Sequence, residues 1–331
     1  MKDIFIRIVF FTAYHLGVIR LFYYLTRKRQ RVITYHNIIP DKYYNNSLEQ
    51  GVSCSESVFK IQLKEIAKRF SFTTEVDKAN TCMITFDDGY KNNYDVAIPI
   101  LALYDIKAVF FITYNLVNKN ETLWIDLIMK WCSYVPEGSY NILARDLSIL
   151  DENRMKYFSS IFSDIYKNYK LKDEVIIALN KAYDFNNLIL DEYYNKLRFS
   201  PISLQDIEKI KQDQHIIACH TISHDILSQL SNDLLINEIK ESEQYIGELY
   251  NTNYFAYPFG GISEVSEKVL KAYSESKFSK CFVNYWNFFG FSSFNDECLQ
   301  RLSLPNTANK YIIHAYLSGF YFFFKNRKAY V

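Results

Sequence analysis

Short apolar runs alternate along the body of the chain with longer segments whose apolar residues recur three or four positions apart. The longer segments are typical of amphipathic helices, as over 58–70, where Phe59, Leu63 and Ile66 share one helical face. Strands alternating with such helices are typical of a largely parallel sheet, so the pattern predicts an α/β protein whose sheet is open or closed into a barrel. The short runs that predict strands lie at 31–38, 82–86, 108–114, 215–219, 254–257 and 280–283.

The stretch 118–200 interrupts this alternation. It is polar, rich in tyrosine and lysine, and mostly helical in its pattern. We therefore predict one core domain over 31–310 that carries a helical insertion over 118–200. Two interpretations of the insertion stay open: it covers the active site, or it is a helical excursion with no part in the site.

The two ends of the chain, 1–30 and 311–331, are apolar and aromatic, and each carries a basic cluster, at 27–31 and 325–328. The uncharged stretch near the first end is far shorter than the roughly 20 residues that a membrane span needs. No small-residue cleavage site follows it, so a secretory signal peptide is not indicated. Either both ends contact an anionic membrane surface peripherally, or they form two terminal helices packed on the domain.

Charge and composition narrow the function classes. The overall net charge is only +1 although both ends are basic, so the body is acidic and no basic face for nucleic acid is indicated. Hydrophobic residues at 49% and charged residues at 23% are typical of a packed globular protein and exclude a disordered chain.

The cysteines form no CxxC pair and show no framework spacing. We therefore expect reduced thiols and a cytoplasmic location, with a peripheral position on the inner face of the membrane as an extension of it. The six residues are Cys54, Cys82, Cys132, Cys219, Cys281 and Cys298.

The first motif with chemical potential is TFDDG over 85–89, directly after a predicted strand. Neighbouring side chains at a strand end point in different directions, so one of Asp87 and Asp88 can bind a metal while the other faces the substrate. Two carboxylates this close also perturb each other's pKa, which suits a general base. Alone, Asp-Asp-Gly is also ordinary turn chemistry.

The second motif, HTISH over 220–224, places two of the six histidines four positions apart after another predicted strand. We expect this spacing to bring His220 and His224 to one side of a helical turn. With Asp88 they make a set of two histidines and one carboxylate, which zinc hydrolases and non-haem iron oxygenases both use. The spare carboxylate of Asp87 favours a base beside a metal-bound water.

The third motif, YPFGG over 257–261, predicts a sharp turn that can expose backbone N–H groups to an oxyanion. Alone it would be only a turn. However, all three motifs, and also Tyr35-His36-Asn37, fall at the carboxyl ends of predicted strands, and parallel α/β barrels and sheets build their active sites at that edge.

In this order the motifs TFDDGY, HTISH and YPFGG resemble the polysaccharide deacetylase (NodB-homology) family of carbohydrate esterases, over about residues 31–305. The resemblance implies a distorted (β/α) barrel and metal-dependent removal of acetyl groups from N-acetylated sugars, in a polysaccharide or a lipid-linked glycan. It implies an acetylated glycan as the partner and a divalent metal as the cofactor, zinc in the first place, with cobalt or nickel as alternatives.

Position by position, the resemblance also implies roles for individual residues. Asp87 corresponds to the catalytic base, and the metal ligands correspond to Asp88, His220 and His224. Phe259 corresponds to the aromatic residue whose backbone N–H helps to hold the oxyanion, and Tyr257 is a further candidate for substrate binding.

Two departures from the family pattern concern the groups around the base. Ala256 stands where the third motif has an arginine that orients the base. Arg301, on a late predicted strand, is a candidate replacement, and an ordinary fold-stabilising arginine explains it equally well. The family's Leu-x-His is not clearly present. For the general acid we prefer His36, whose run RVITYHN resembles the permuted branch of biofilm poly-N-acetylglucosamine deacetylases, and His314 is the alternative.

Two other functions stay open from the residues. A metal-dependent nucleotide-sugar transferase would use Asp87 and Asp88 on a diphosphate, but it leaves His220 and His224 unexplained. A non-catalytic glycan-binding descendant is suggested by the missing arginine at Ala256.

Overall fold

The computed structural model describes residues 2–44, 52–190, 197–286 and 298–327, with side chains from residue 6 to residue 323 within those ranges. Eight parallel strands form one sheet that is rolled into a nearly closed barrel surrounded by helices. This confirms the distorted (β/α) barrel. The eight strands are β1 (Arg31–Tyr35), β5 (Thr81–Phe86), β6 (Ala108–Ile112), β9 (Ile216–Cys219), β10 (Tyr254–Ala256), β11 (Lys280–Val283), β12 (Cys298–Gln300) and β13 (Leu302–Ser303).

The order of the strands is β12-β11-β10-β9-β6-β5-β1-β13. The two strands at the ends of this path, β12 and β13, follow each other in the chain and are separated by Arg301 alone. The chain therefore passes from one edge of the sheet to the other at this residue. The remaining strands are β2 (Asn37–Ile39), which pairs with β3 (Ser53–Ser55), β4 (Ser71–Phe72), which pairs with β5, and the antiparallel pair β7 (Gly138–Ile142) and β8 (Arg145–Ile149).

Helices cover the outside of the barrel, and two π-helical segments, Asn93–Ala97 and Glu243–Glu248, continue into or out of them. The helices are α1 (Lys2–His15), α2 (Val18–Leu25), α3 (Glu56–Ala67), α4 (Ile98–Ala102), α5 (Tyr114–Asn118), α6 (Trp124–Tyr134), α7 (Arg154–Lys167), α8 (Lys172–Ala182), α9 (Leu204–Gln212), α10 (Asn232–Ser242), α11 (Glu267–Ser274), α12 (Lys310–Leu317) and α13 (Phe320–Arg327).

The side-chain period of the strands aims particular residues at the barrel axis, because successive residues face opposite sides of a sheet. Phe111 of β6 and Phe282 of β11 belong to strands that are not neighbours, yet their ring centroids lie 4.9 Å apart across the barrel. Counting in steps of two from the inward Met83 reaches Asp87, and the same count from Ala218 reaches His220. The inward cluster consists of Val32, Met83, Val109, Phe111, Ala218, Ala256 and Phe282.

The segment predicted as a helical insertion contains an element that the sequence analysis did not predict. Helices α6 to α8 lie there, but β7 and β8 form an antiparallel hairpin between α6 and α7. Residues 191–196 of the predicted segment lie outside the described residues.

Both terminal segments form helices that pack on the domain. Phe10 and Phe22 are buried against Phe320, and Ala13 and Ile19 belong to the same cluster. No single helix in the described ranges is long and apolar enough to cross a membrane, whereas Ile6–His15 and Val18–Leu25 pass that test only as a pair bent by 77°. The second basic cluster, at 325–328, lies outside the described side chains.

The expectation that every cysteine is reduced is wrong. Cys281 and Cys298 form a disulfide. These two residues are direct partners in the register of the neighbouring strands β11 and β12, although 17 positions separate them in the chain. Spacing alone therefore does not reveal the pair. The other four cysteines are free and buried, and the cytoplasmic location stays a prediction.

Candidate active site

The motif residues of four strands meet at the carboxyl edge of the barrel. Asp87 and Asp88 follow β5, and His220 follows β9. The turn after β5 needs Gly89, which has φ 96° and whose Cβ, if it had one, would lie 2.8 Å from the Val117 side chain. The local sequence therefore fixes where the two carboxylates leave the strand.

Asp88, His220 and His224 form a buried cluster in which the nearest donor atoms all lie within 4.8 Å of one another. Asp88 Oδ1 is 3.5 Å from His220 Nε2 and 3.3 Å from His224 Nε2. Among the described residues, Asp88 Oδ1 and His220 Nε2 are buried without a hydrogen-bond partner. Buried polar atoms are almost always satisfied, so an orphaned carboxylate oxygen facing an orphaned imidazole nitrogen fits a divalent cation.

His220 is held in the form that a metal requires. Its Nδ1 donates a hydrogen bond to the carbonyl oxygen of Ala256 at 2.8 Å, which leaves the lone pair on Nε2. Burial lowers the pKa of His220 to about 4, more than nearby Asp87 raises it. The ring is therefore neutral at neutral pH, and Nε2 is available as a ligand atom.

The segment from His220 to His224 is an irregular loop, so the expected helical turn is wrong. Thr221 (φ 66°) and His224 (φ 57°) adopt left-handed backbone angles that no α-helix contains. Glu238 of α10 holds the loop, because one of its carboxylate oxygens accepts hydrogen bonds from the N–H groups of Ile222 and Ser223, at 3.0 and 2.8 Å. Long-range contact with α10 thus replaces the local helical bonding that the spacing indicated.

Asp87 lies beside this cluster and has its own set of partners. Arg301 Nη1 donates to Asp87 Oδ1 at 2.6 Å, and the Thr34 hydroxyl donates to Oδ2 at 3.3 Å. Burial raises the pKa of Asp87, but the positive charge of Arg301 and the nearby histidines outweigh it and leave the pKa below its ordinary value. The carboxylate is therefore charged and oriented next to the candidate metal ligands.

His36 approaches Asp87 from β1. Its Nε2 lies 3.8 Å from Asp87 Oδ2, and its side chain is 21% exposed, whereas Asp87 is buried. His36 therefore stands between the buried carboxylate and solvent.

Phe259 lies at the rim of the cluster, with its ring centroid 5.1 Å from that of His224. Its backbone is left-handed, with φ 62°, and among the described residues its N–H has no acceptor. The next residue, Gly260, is also left-handed, and a Cβ there would lie 2.5 Å from the backbone nitrogen of Asn284. The turn therefore leaves the Phe259 N–H without an acceptor in the described part of the chain, and its role toward an oxyanion stays a prediction.

Comparison with known proteins tests the resemblance. The family model described as polysaccharide deacetylase matches residues 74–275, more than half of the chain. The chain belongs to the polysaccharide deacetylase family.

Solved structures share the fold of this deacetylase-family protein at low sequence identity. The Streptococcus pyogenes deacetylase PplD in complex with acetate matches with a TM-score of 0.54 and 15% identity, covering 86% of this chain and 96% of that one. IcaB from Ammonifex degensii matches with 0.51 and 15%, covering 87% and 97%. A Bacillus cereus polysaccharide deacetylase matches with 0.51 and 15%, covering 87% and 68%. No curated protein sequence matches this chain.

Arg301 contacts Asp87, the carboxylate that the family's arginine, replaced here by Ala256, would be expected to orient. In this family member the guanidinium group that reaches Asp87 belongs to Arg301, which lies at the junction of β12 and β13. The Arg301 side chain is buried and stacks over the Phe111 ring at 5.4 Å. This contact is the one that a replacement for the missing arginine would make, and the role of Arg301 stays a prediction.

The structure separates the two candidate acids of the deacetylase. His314 of α12 is buried with Nδ1 against the Tyr23 hydroxyl at 2.7 Å and Nε2 against Glu65 at 3.1 Å. Both partners belong to helices outside the barrel, so His314 joins terminal helices to α3 rather than serving the site. Of the two candidates, His36 is the one that lies beside Asp87.

Tyr257, like His314, is a candidate whose placement does not favour contact with substrate. Its side chain is buried against Phe255 and Tyr273, with ring centroids 5.0 and 5.8 Å away. Its backbone N–H already donates to the Phe282 carbonyl at 3.1 Å. Tyr257 therefore stabilises the turn by packing against Phe255 and Tyr273.

Residues of the insertion reach the site, and the sequence analysis missed them. Trp124 of α6 donates its ring N–H to the His224 carbonyl at 3.0 Å, and its ring lies 6.1 Å from that of Phe259. The Tyr169 hydroxyl donates to Asp225, next to His224. Of the two interpretations of the insertion, these contacts support the one that places it against the site. The only feature of the sequence that sets Trp124 apart is that it is one of three tryptophans.

Proposed function

We propose that this protein hydrolyses the acetyl amide of an N-acetylated sugar in a polysaccharide or lipid-linked glycan, with a bound divalent cation. Family membership supports deacetylation of a polysaccharide. The finer proposal rests on two neighbouring features. One is the buried Asp88-His220-His224 cluster, in which Asp88 Oδ1 and His220 Nε2 have no hydrogen-bond partner among the described residues. The other is the separate carboxylate of Asp87, which Arg301 holds in place.

Asp88, His220 and His224 would hold the cation, leaving open positions for water and substrate. When bound, such a cation polarises the acetyl carbonyl and lowers the pKa of a water molecule. One carboxylate oxygen and two imidazole nitrogens are a donor set that suits zinc, and cobalt or nickel also accept it.

Asp87 would act as the general base. It accepts a proton from the attacking water as the water oxygen bonds to the acetyl carbon. Arg301 and Thr34 occupy both carboxylate oxygens from the barrel side, which fixes the orientation of the carboxyl group. The depressed pKa keeps Asp87 in the charged form that accepts the proton.

His36 would act as the general acid. Its partly exposed position beside Asp87 lets it deliver a proton to the sugar nitrogen as the carbon–nitrogen bond breaks, so acetate and a free amine leave. The Phe259 N–H, which has no acceptor among the described residues, would donate to the acetyl oxygen while negative charge develops there.

Aromatic rings beside the cluster support a sugar as substrate. Phe162 of α7 stacks on Trp124 with centroids 6.1 Å apart, and both rings contact Phe259. Phe162 and Phe259 are only partly buried. Partly exposed aromatic rings of this kind suit the apolar face of a pyranose ring.

Arg301→Met should lower kcat for acetate release on the order of 100-fold, because the base loses the group that orients it. The free energy of unfolding should also fall by about 3 kcal/mol, since a buried carboxylate would lose its cationic partner. Both quantities are measured on the purified variant, by acetate assay and by denaturant titration.

Arg301→Lys is the conservative comparison, and it should recover part of kcat because it keeps the charge. Bound metal should be unchanged in both variants. If Arg301→Met destabilises the protein but leaves kcat at the wild-type value, Arg301 is a fold-stabilising residue only.

The proposed function is tested by acetate release from a panel of acetylated glycans. The panel contains oligosaccharides of N-acetylglucosamine and O-acetylated counterparts, each assayed after dialysis against a chelator and after addition of zinc, cobalt or nickel. We expect release from N-acetylated members, loss of at least about 90% of the rate on chelation and recovery with one of the metals. Glycan binding without acetate release under every metal condition would instead identify a non-catalytic descendant.

A further inference from the structure

The first two helices carry an exposed apolar surface. These side chains, which we name the α1–α2 surface, are 48 to 75% exposed, with Leu16 the most exposed. Elsewhere in the described parts of the barrel and insertion, large apolar side chains that are this exposed are scattered along the chain, whereas here they fall within one short stretch. The α1–α2 surface consists of Ile8, Phe11, Leu16, Leu21, Tyr24 and Leu25.

This surface is distinct from the face by which the same helices pack on the domain. Phe10, Ala13, Ile19 and Phe22 are buried against α12 and α13. Helices that only cover a core need one apolar face and are polar on the other. In α1 and α2 the outer face also carries large apolar side chains among its polar and basic ones, and the packing on the domain does not account for them.

The charge beside the α1–α2 surface has a single sign. Arg7, Arg20, Arg27 and Lys28 are exposed, and residues 6–30 contain no aspartate or glutamate. The Arg27 guanidinium lies 3.9 Å from the centre of the Tyr24 ring, so basic and aromatic groups are interleaved. Apolar side chains mixed with cations suit a surface that is itself apolar beneath an anionic layer.

The shape of the two helices favours lying on such a surface over crossing it. They meet at Gly17, whose φ of 78° ends one helix and starts the other, and their axes are bent by 77°. Neither helix alone is long enough to span a bilayer. Their buried faces pack on α12 and α13.

We propose that the α1–α2 surface docks this protein on an anionic lipid bilayer, with the leucine and aromatic side chains inserted at the level of the headgroups and Arg7, Arg20, Arg27 and Lys28 against anionic lipid. A second copy of the chain suits the surface less well. Two such surfaces face to face would bring like charges together without any acidic partner in the described stretch.

Docking in this way would leave the candidate active site accessible. Helix α2 leads through residues 26–30 into the amino end of β1, whereas Asp87, His36 and His220 follow the carboxyl ends of their strands. The end of α2 and the catalytic edge therefore lie at opposite edges of the barrel.

The test is sedimentation of the full chain with vesicles of phosphatidylcholine, with or without about 30% phosphatidylglycerol. We expect binding to the anionic vesicles at least about tenfold tighter than to neutral ones, and weakening at high salt. Leu16→Ser/Leu21→Ser/Leu25→Ser should reduce binding on the order of tenfold. Arg20→Gln/Arg27→Gln/Lys28→Gln should reduce it on the order of 100-fold at low salt.

A matched control removes the same number of exposed leucines elsewhere, as Leu103→Ser/Leu234→Ser/Leu249→Ser. It should bind like the wild type, and circular dichroism should show all variants folded. The proposal is wrong if the wild type stays in the supernatant, if it binds neutral vesicles equally well, or if the α1–α2 leucine variant binds as tightly as the control. A wild-type dimer that the leucine variant converts to monomer, without vesicle binding, would assign the surface to a second copy.

Discussion

Asp87→Asn should lower kcat for acetate release by about 1,000-fold or more while the bound metal stays at the wild-type amount. Asparagine keeps the shape of the side chain and an oxygen that accepts from Arg301, but it cannot take a proton from water at neutral pH. The measurements are steady-state acetate release and metal analysis of the same preparation.

Asp95→Asn is the matched control, because Asp95 is an exposed carboxylate paired with Lys91 at 3.3 Å, outside the site. It should keep wild-type activity. Loss of bound metal from Asp87→Asn would contradict the division of roles between the two carboxylates, and retained activity would contradict a general base at this position.

Asp88→Asn should give the opposite pattern in metal content. Asp88 contributes the only carboxylate oxygen of the Asp88-His220-His224 cluster, so its removal should weaken metal binding by about 100-fold or more and lower acetate release to background. The backbone at Asp88 is left-handed, with φ 75°, and asparagine tolerates that conformation well, so the loop should survive the change.

Metal affinity is measured by competition with a chromogenic chelator, and folding by thermal denaturation. If Asp88→Asn binds metal as tightly as the wild type, the cluster is not the metal site. Because the neighbouring substitutions at 87 and 88 are chemically identical, their contrasting outcomes separate base from ligand without a difference in size or charge change.

The sequence predicted the positions of the site residues that come directly after a strand. Asp87 and Asp88 after β5 and His220 after β9 are placed by the period of the strands, which the apolar runs already disclose. The position of His36 follows in the same way from β1. For these residues the barrel leaves little freedom, so local pattern and final geometry agree.

Other parts of the site depend on contacts between distant segments. The spacing of His220 and His224 indicated a helical turn, but Glu238 supplies the hydrogen bonds that hold a loop instead. Trp124 comes from the insertion, and no spacing rule links it to His224. Such contacts depend on how distant segments pack together, and the hydrophobic pattern along the sequence does not show this packing.

The unpredicted hairpin has a similar cause. Its two turn residues, Leu143 and Ala144, have φ of 51° and 63°, the angles of a turn that usually contains asparagine and glycine. The usual turn signal is therefore missing, and the alternation of β7 and β8 is too short to indicate strands without it. The disulfide escaped prediction for a different reason, because its partners meet only through the register of β11 and β12.

The position of Arg301 between β12 and β13 has a consequence for how relatives of this chain are recognised. A motif search that requires arginine directly before the tyrosine–proline pair would classify this chain as inactive, because Ala256 stands at that position. Here a guanidinium group contacts the aspartate from Arg301, about 45 positions later in the chain, between the two strands at which the barrel closes. For members of this family, whether any cationic side chain reaches the buried aspartate in three dimensions is therefore a better criterion for an oriented base than arginine at one motif position.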